Sequence, residues 1–124
     1  MVKKIIVVDD SSSVRSQVGD AIIDAGYEVV EACDGRDALL KIEQNADAVL
    51  LISDIHMPNL SGIDMLERLR ELGTRPDLPI VMLTTEANAK LMARAKAAGA
   101  KGWIVKPFKS ELLLAAVHKL AGAA

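Results

Sequence analysis

The chain has 124 residues, about the length of one domain, with 51% hydrophobic and 26% charged residues. That balance is too apolar for a disordered segment and ordinary for a globular one. Lys and Arg total 15 against 17 Asp and Glu, a formal net charge of −2 with no basic run, which argues against nucleic acid as a partner.

Five short apolar runs recur along the chain: IIVV at 5–8, YEVVEA at 27–32, AVLLIS at 48–53, PIVMLT at 79–84 and GWIV at 102–105. Four are near-continuously hydrophobic, the pattern of strands buried on both faces of a parallel sheet. The second is broken by Glu28 and Glu31, the pattern of an edge strand. Segments of helical period lie between and after them. Ser11 or Ser12 can cap a helix carrying Val14, Val18, Ala21, Ile22 and Ala25, which Gly26 stops. Asp34-Gly35 opens a second, with Ala38, Leu39 and Ile42 inward. Ser61-Gly62 precedes a third, with Ile63, Leu66, Leu69 and Leu72 inward and Gly73 as its stop. A fourth runs from about Asn88 to Gly99, with Leu91, Met92, Ala95 and Ala98 inward. The last follows Ser110, with Leu113, Ala116, Val117 and Leu120 on one stripe.

Five alternations of strand and helix predict an α/β chain, (βα)5, with an open parallel sheet and helices on both faces. A closed eight-stranded barrel would need about 250 residues. The whole chain, 1–124, reads as one domain, with no linker or repeat. In open sheets of this kind ligands bind outside the carboxyl ends of the strands. Asp9 and Asp10 end the first run, Asp54 the third, Thr84 and Thr85 the fourth, and Lys106 the fifth.

Gathered carboxylates repel one another unless a cation is present, and an all-oxygen set suits a hard divalent ion such as Mg²⁺. A lysine adds a compact positive charge suited to phosphate oxygen, and threonine adds a neutral donor. Together they predict a site for phosphoryl transfer to a carboxylate. Each piece has an ordinary reading when taken alone, as a helix cap, a loop start, a strand threonine or a turn. Their joint occurrence in order on four strands is what makes the functional reading the stronger one.

IIVVDD, SDIHMPNLSG, MLTTE and GAKGWIVKPF, taken together, resemble the receiver domain of two-component response regulators in its small single-domain form. The resemblance covers about residues 4–120. It implies a flavodoxin-like receiver fold with strand order 2-1-3-4-5, and a cis Lys106-Pro107 bond. It also implies that Asp54 accepts phosphate from a sensor histidine kinase. Mg²⁺ would be held by Asp9, Asp10, Asp54 and the backbone carbonyl of His56. Thr84 and Lys106 would contact the phosphoryl group, Trp103 would be the aromatic switch residue, and Thr85 and Glu86 would tune access to the site. Trp103 stands where tyrosine, phenylalanine or histidine is more usual, and Thr85 where a small residue is common. The interval from Asp47 to Asp54 is slightly long for the family.

The implied role is a phosphoacceptor that catalyses only its own phosphorylation and dephosphorylation. Output would run through a phosphorylation-dependent protein-binding surface, since nothing follows the last helix that could act as an effector. The favoured partner is a flagellar motor switch protein in chemotaxis; the alternative is a histidine phosphotransfer protein in a phosphorelay. A phosphatase with an aspartyl-phosphate intermediate ranks lower, because the first strand ends in Asp9-Asp10-Ser11 rather than D-x-D. A flavin-binding reading fails because DDSSSVR is acidic and lacks glycine.

Cys33 is the only cysteine, so no intrachain disulfide can form, and a cytoplasmic setting is expected. The longest uncharged stretch, Ile55 to Ile63, is far short of the roughly 20 residues that span a bilayer, so no membrane insertion is expected. His56 and His118, the methionines and the cluster of Lys90, Arg94, Lys96 and Lys101 are read as surface or packing residues.

Overall fold

A computed structural model describes residues 2–85 and 88–124. Strands and helices alternate: β1 (Lys4–Val8), α1 (Ser12–Asp24), β2 (Glu28–Ala32), α2 (Gly35–Gln44), β3 (Ala48–Ser53), α3 (Gly62–Leu72), β4 (Ile80–Thr84), α4 (Ala89–Ala97), β5 (Gly102–Val105) and α5 (Ser110–Ala121). The strands form one open, all-parallel sheet in the order β2-β1-β3-β4-β5, as the sequence and its resemblance lead one to expect.

The alternation of side chains along each strand builds two apolar layers. Ile6, Val8, Leu51, Ile80 and Met82 face α2, α3 and α4, meeting Ile42, Leu66, Leu69 and Ala95. Ile5, Val7, Leu50, Ile52, Val81 and Leu83 face α1 and α5, meeting Val18, Ile22, Leu113 and Val117. The register of β1 against β3 shifts by one residue, from Lys4↔Ala48 to Ile5↔Leu50. This bulge absorbs the extra length before Asp54 and restores the inward phase for Leu50 and Ile52.

Helix starts follow the sequence closely. Ser11, Asp34, Ser61 and Asn88 are N-caps, each accepting a backbone N–H of the first turn. Gly73 closes α3 at φ 63°, in the left-handed region where glycine carries no Cβ penalty.

Three packing expectations need correction. GWIV is not buried on both faces: β5 has one neighbouring strand, so Ile104 is buried, Trp103 is half-buried and Val105 is exposed. Leu72 does not face the core and is 61% exposed. Steps of three residues lag the 3.6-residue turn, so by Leu72 the series begun at Ile63 has rotated through half a turn. Met92 is 41% exposed, lying along a groove with Trp103 rather than under the helix.

The correction for α3 is measurable. Leu69→Ala should lower the unfolding free energy by roughly 2–5 kcal/mol, the cost of an emptied buried leucine site. Leu72→Ala should change it by no more than about 0.5 kcal/mol. Urea titrations of both variants decide the orientation.

Candidate functional site

The parallel sheet places every strand's carboxyl end at one edge. Among the described residues the buried polar or charged ones are Asp9, Asp34, Ser53, Asp54 and Thr84. Each lies at or within two residues of the carboxyl end of a strand. Elsewhere the interior is apolar, so the energetic cost of buried polarity is concentrated at this edge.

Asp9 and Asp54 directly follow Val8 and Ser53, which are paired across β1 and β3. Their carboxylates converge on one ammonium: Lys106 Nζ donates to Asp9 Oδ2 at 2.9 Å and to Asp54 Oδ2 at 3.2 Å. The remaining oxygens are bonded by backbone amides, Asp9 Oδ1 by Ser11 at 2.9 Å and Asp54 Oδ1 by Ile55 at 2.7 Å. Asp10, on the exposed side, completes a triad whose carboxylate oxygens lie within 4.8 Å of one another. Sequence reasoning placed these four residues together, and the geometry does bring them together.

Burial pushes the Asp9 carboxyl above its ordinary value of 3.8; the Ser11 amide and the Lys106 ammonium offset this only in part, and the Asp54 charge adds to it. For Lys106 burial works toward a lower pKa, but the Asp9 hydrogen bond and the charges of Asp54 and Asp9 outweigh it, leaving the ammonium raised. One lysine therefore stands against three carboxylates. Oxygen donors of this number, density and charge fit a hard divalent cation such as Mg²⁺.

The other expected residues surround this cluster. Thr84 is fully buried at the end of β4, and its carbonyl accepts from the Lys106 amide at 2.8 Å. Thr85 is exposed just beyond it, and Glu86 lies outside the described residues. His56 is exposed on the segment after Asp54. Trp103 is half-buried on β5, packed against the apolar layer that includes Met82 and Ala95. The Lys106-Pro107 peptide is cis. Cys33 is exposed.

Two contributors were not singled out from the sequence. Arg15 on α1 donates to the Asp9 carbonyl at 2.6 Å and to Glu31 at 3.0 Å, tying the acidic turn to β2. Gly62 gives its amide to the Ile55 carbonyl at 2.8 Å, and a Cβ there would lie 2.0 Å from the Asp54 carbonyl oxygen. Ser61-Gly62 was legible as a helix start; the close approach of two backbones was not, because it depends on a contact across the loop.

A family model described as the response regulator receiver domain matches residues 5–118. The chain is 39% identical over 111 residues to chemotaxis protein CheY1 of Helicobacter pylori, covering 89% of this chain and 90% of that one. It is 33% identical over 120 residues to the CheY homolog of Campylobacter jejuni, covering 96% and 92%. The solved structure of chemotaxis response regulator CheY4 of Vibrio cholerae superposes with a TM-score of 0.87 at 42% identity, covering 97% of this chain and 99% of that one.

The strain in the cluster predicts a stability gain. Asp9→Asn should stabilise the metal-free protein at neutral pH by roughly 1 kcal/mol, since the amide oxygen still accepts from Ser11, Lys106 keeps Asp54 in place of its lost bond to residue 9, and one buried charge is gone. The folded-state pKa of Asp9 is raised, so its penalty is complete above that value and fades as pH falls toward 3.8. The gain of the Asn variant should therefore shrink in acid; urea midpoints at neutral and acid pH measure it.

Proposed function

Because the chain belongs to the response regulator receiver domain family, we propose that Asp54 accepts a phosphoryl group from a sensor histidine kinase and passes the signal on by protein binding. Receiver domains act in signalling, and this one is proposed to process no separate substrate. The observation that carries the reading is the sharing of one ammonium by Asp9 and Asp54 beside Asp10. A carboxylate held among donors and acids is poised to accept an anion only with a cation's help.

Asp9, Asp10, Asp54 and the backbone carbonyl of His56 are the residues that would hold Mg²⁺. When bound, the ion would supply positive charge against the phosphoryl oxygens. One oxygen of Asp54 forms a bond to phosphorus as the donor's phosphorus–nitrogen bond breaks; the electron pair leaves on the imidazole nitrogen, which takes a proton from solvent. Lys106 then exchanges part of its carboxylate bonding for a phosphoryl oxygen, and the Thr84 hydroxyl donates to another. Thr85, exposed just beyond Thr84, is assigned to tuning the access of attacking water. Hydrolysis of the acyl phosphate returns the carboxylate and inorganic phosphate.

The output reading is chemotaxis through a flagellar motor switch protein, supported by the chemotaxis proteins that this chain resembles over nearly their whole length. A cytoplasmic setting belongs to the same proposal; among the described residues no helix is long and apolar enough to cross a membrane. Trp103, Val105 and Leu112 lie on the face made by α4, β5 and α5, the latter two exposed. An apolar groove of about 280 Å³ between α4 and β5 adjoins Trp103. Lys106 follows Trp103 by three residues, so a pull on its side chain reaches the strand that carries the indole. Two packings of that side chain would make the response bistable rather than graded.

Incubation with acetyl phosphate or beryllofluoride should modify wild type only when Mg²⁺ is present, and Asp54→Asn not at all. Modification in EDTA, or undiminished labelling of the Asn variant, contradicts the assignment.

Thr84→Ala and Lys106→Ala should leave Asp54 modifiable yet uncouple modification from partner binding, because phosphate shifts the equilibrium only through contacts that differ between the two states. In wild type, beryllofluoride-induced NMR shifts should concentrate at described residues around 84–106 and at the start of α5. Shifts clustered on α1 instead would favour a shuttle to a histidine phosphotransfer protein.

A further inference from the structure

The segment between Asp54 and α3 has no regular structure of its own, yet it carries the His56 carbonyl. It is fastened to the neighbouring β2–α2 junction from outside. Asp34, buried at the N-cap of α2, uses its two oxygens separately. Oδ1 accepts the Asp37 amide at 2.8 Å, and Oδ2 accepts Asn59 Nδ2 at 2.7 Å. Asn59 sits at φ 69°, the one non-glycine residue with positive φ among the described residues. Asparagine tolerates that region better than most side chains but does not choose it without a partner. Next to it the Gly35 amide donates to the Leu60 carbonyl at 3.1 Å, and a Cβ on Gly35 would lie 2.4 Å from that oxygen. The far end of the segment is closed by the bond from Gly62 to Ile55.

We propose that Asp34 and Asn59 are positioning residues for the metal site: their hydrogen bond sets the path of residues 55–61 and so aims the His56 carbonyl toward the acidic cluster. This inference rests on the reading of Asp9, Asp10 and Asp54 as a Mg²⁺ site. The bond is charge-assisted, and such bonds are the directional, strong ones. The Asp37 amide and, after it, the Asn59 amide hold the Asp34 carboxyl below the usual carboxylate range, so it stays ionised at neutral pH. Groups that orient a ligand from behind typically alter metal affinity about 10- to 100-fold when removed. A backbone carbonyl has no side chain of its own to be oriented by, so the lever must act on the chain around it.

Three variants separate the hydrogen bond from its surroundings. Asp34→Ser keeps a cap for α2 but offers Asn59 no carboxylate; Asn59→Gly keeps the left-handed backbone but removes the donor. The paired exchange Asp34→Asn with Asn59→Asp restores a bond with donor and acceptor reversed. Amide exchange on metal-free protein and calorimetric titration with Mg²⁺ are the readouts. In both single variants the Gly35 and Gly62 amides should exchange faster, while the Asp54 amide, bonded to Val8 in the sheet, should not. The Mg²⁺ dissociation constant should rise about 10-fold and return close to the wild-type value in the exchanged pair. Unaltered Mg²⁺ affinity in both single variants, with wild type binding normally, overturns this inference alone. An exchanged pair as weak as the single variants also overturns it. Absence of Mg²⁺ binding by wild type overturns the metal-site reading and this inference with it.

Discussion

Asp9 and Asp54 share the ammonium of Lys106 at the edge of a parallel sheet, and much of the molecule is arranged around that contact. Two buried carboxylates and one cation are not neutral, and Asp10 beside them worsens the imbalance. Such a cluster is stable only because the rest of the fold supplies what it lacks. Backbone amides from Ser11 and Ile55 satisfy the outer oxygens, and Arg15 anchors the Asp9 carbonyl. Among the described residues no buried side-chain nitrogen or oxygen is left without a partner. What remains is a charge deficit rather than a hydrogen-bond deficit, and a deficit of charge is what a binding cation corrects.

The two apolar layers make that strain affordable. Central strands β1, β3 and β4 carry aliphatic residues on both faces, while polar burial among the described residues is confined to the carboxyl ends of the strands, that of β2 included. The paired strands hold the polar ends in register, Val8 opposite Ser53. The bulge between Lys4 and Ile5 against Ala48 and Leu50 shows the same constraint from the other side. One extra residue in β3 is taken up at the end far from the site, leaving Val8 opposite Ser53 and the two aspartates side by side.

Lys106 also links the site to an outer surface. Its ammonium lies among the carboxylates, while its amide bonds the Thr84 carbonyl and its chain continues from β5. β5 is the least buried of the strands beyond the centre on that side, and α4 beside it has Ala95 as its one fully buried residue. Besides the packing of Ala95, Leu91 and Ala98, α4 is tied to α3 by polar contacts, Arg94 to Asp64 and Glu67, and Arg70 to the Ala98 carbonyl. Exposed ion pairs of that kind contribute little individually. The face beside β5 thus carries less buried apolar packing than the centre of the sheet, and it adjoins Lys106, the residue proposed to contact the phosphoryl group.

Periodicity and end-capping chemistry made the five strands, the five helices and the carboxyl-edge cluster legible in the amino-acid sequence. Those signals are local: an alternating or continuous apolar run, a Ser or Asp before a helix, an aspartate at the end of a strand. The strand order came from resemblance to a known family, since no local pattern states which strand lies beside which. Local reasoning failed at Leu72, Met92 and Val105, whose exposure depends on helix phase, a neighbouring groove and the place of β5 at the edge of the described sheet. It read Gly35 and Gly62 only as helix starts, and was silent on their close approaches to the Leu60 and Asp54 carbonyls and on the bond between Asp34 and Asn59. Those contacts join segments far apart in the chain, and a one-dimensional pattern records neither the 2.0 Å approach of a would-be Cβ to the Asp54 carbonyl nor the 2.7 Å bond across the loop. The sequence by itself determined which chemical groups reach the carboxyl edge, because strand ends follow from local hydrophobicity. Tertiary structure alone decided how those groups are aimed, because aim depends on close contacts between backbones that only the folded chain brings together.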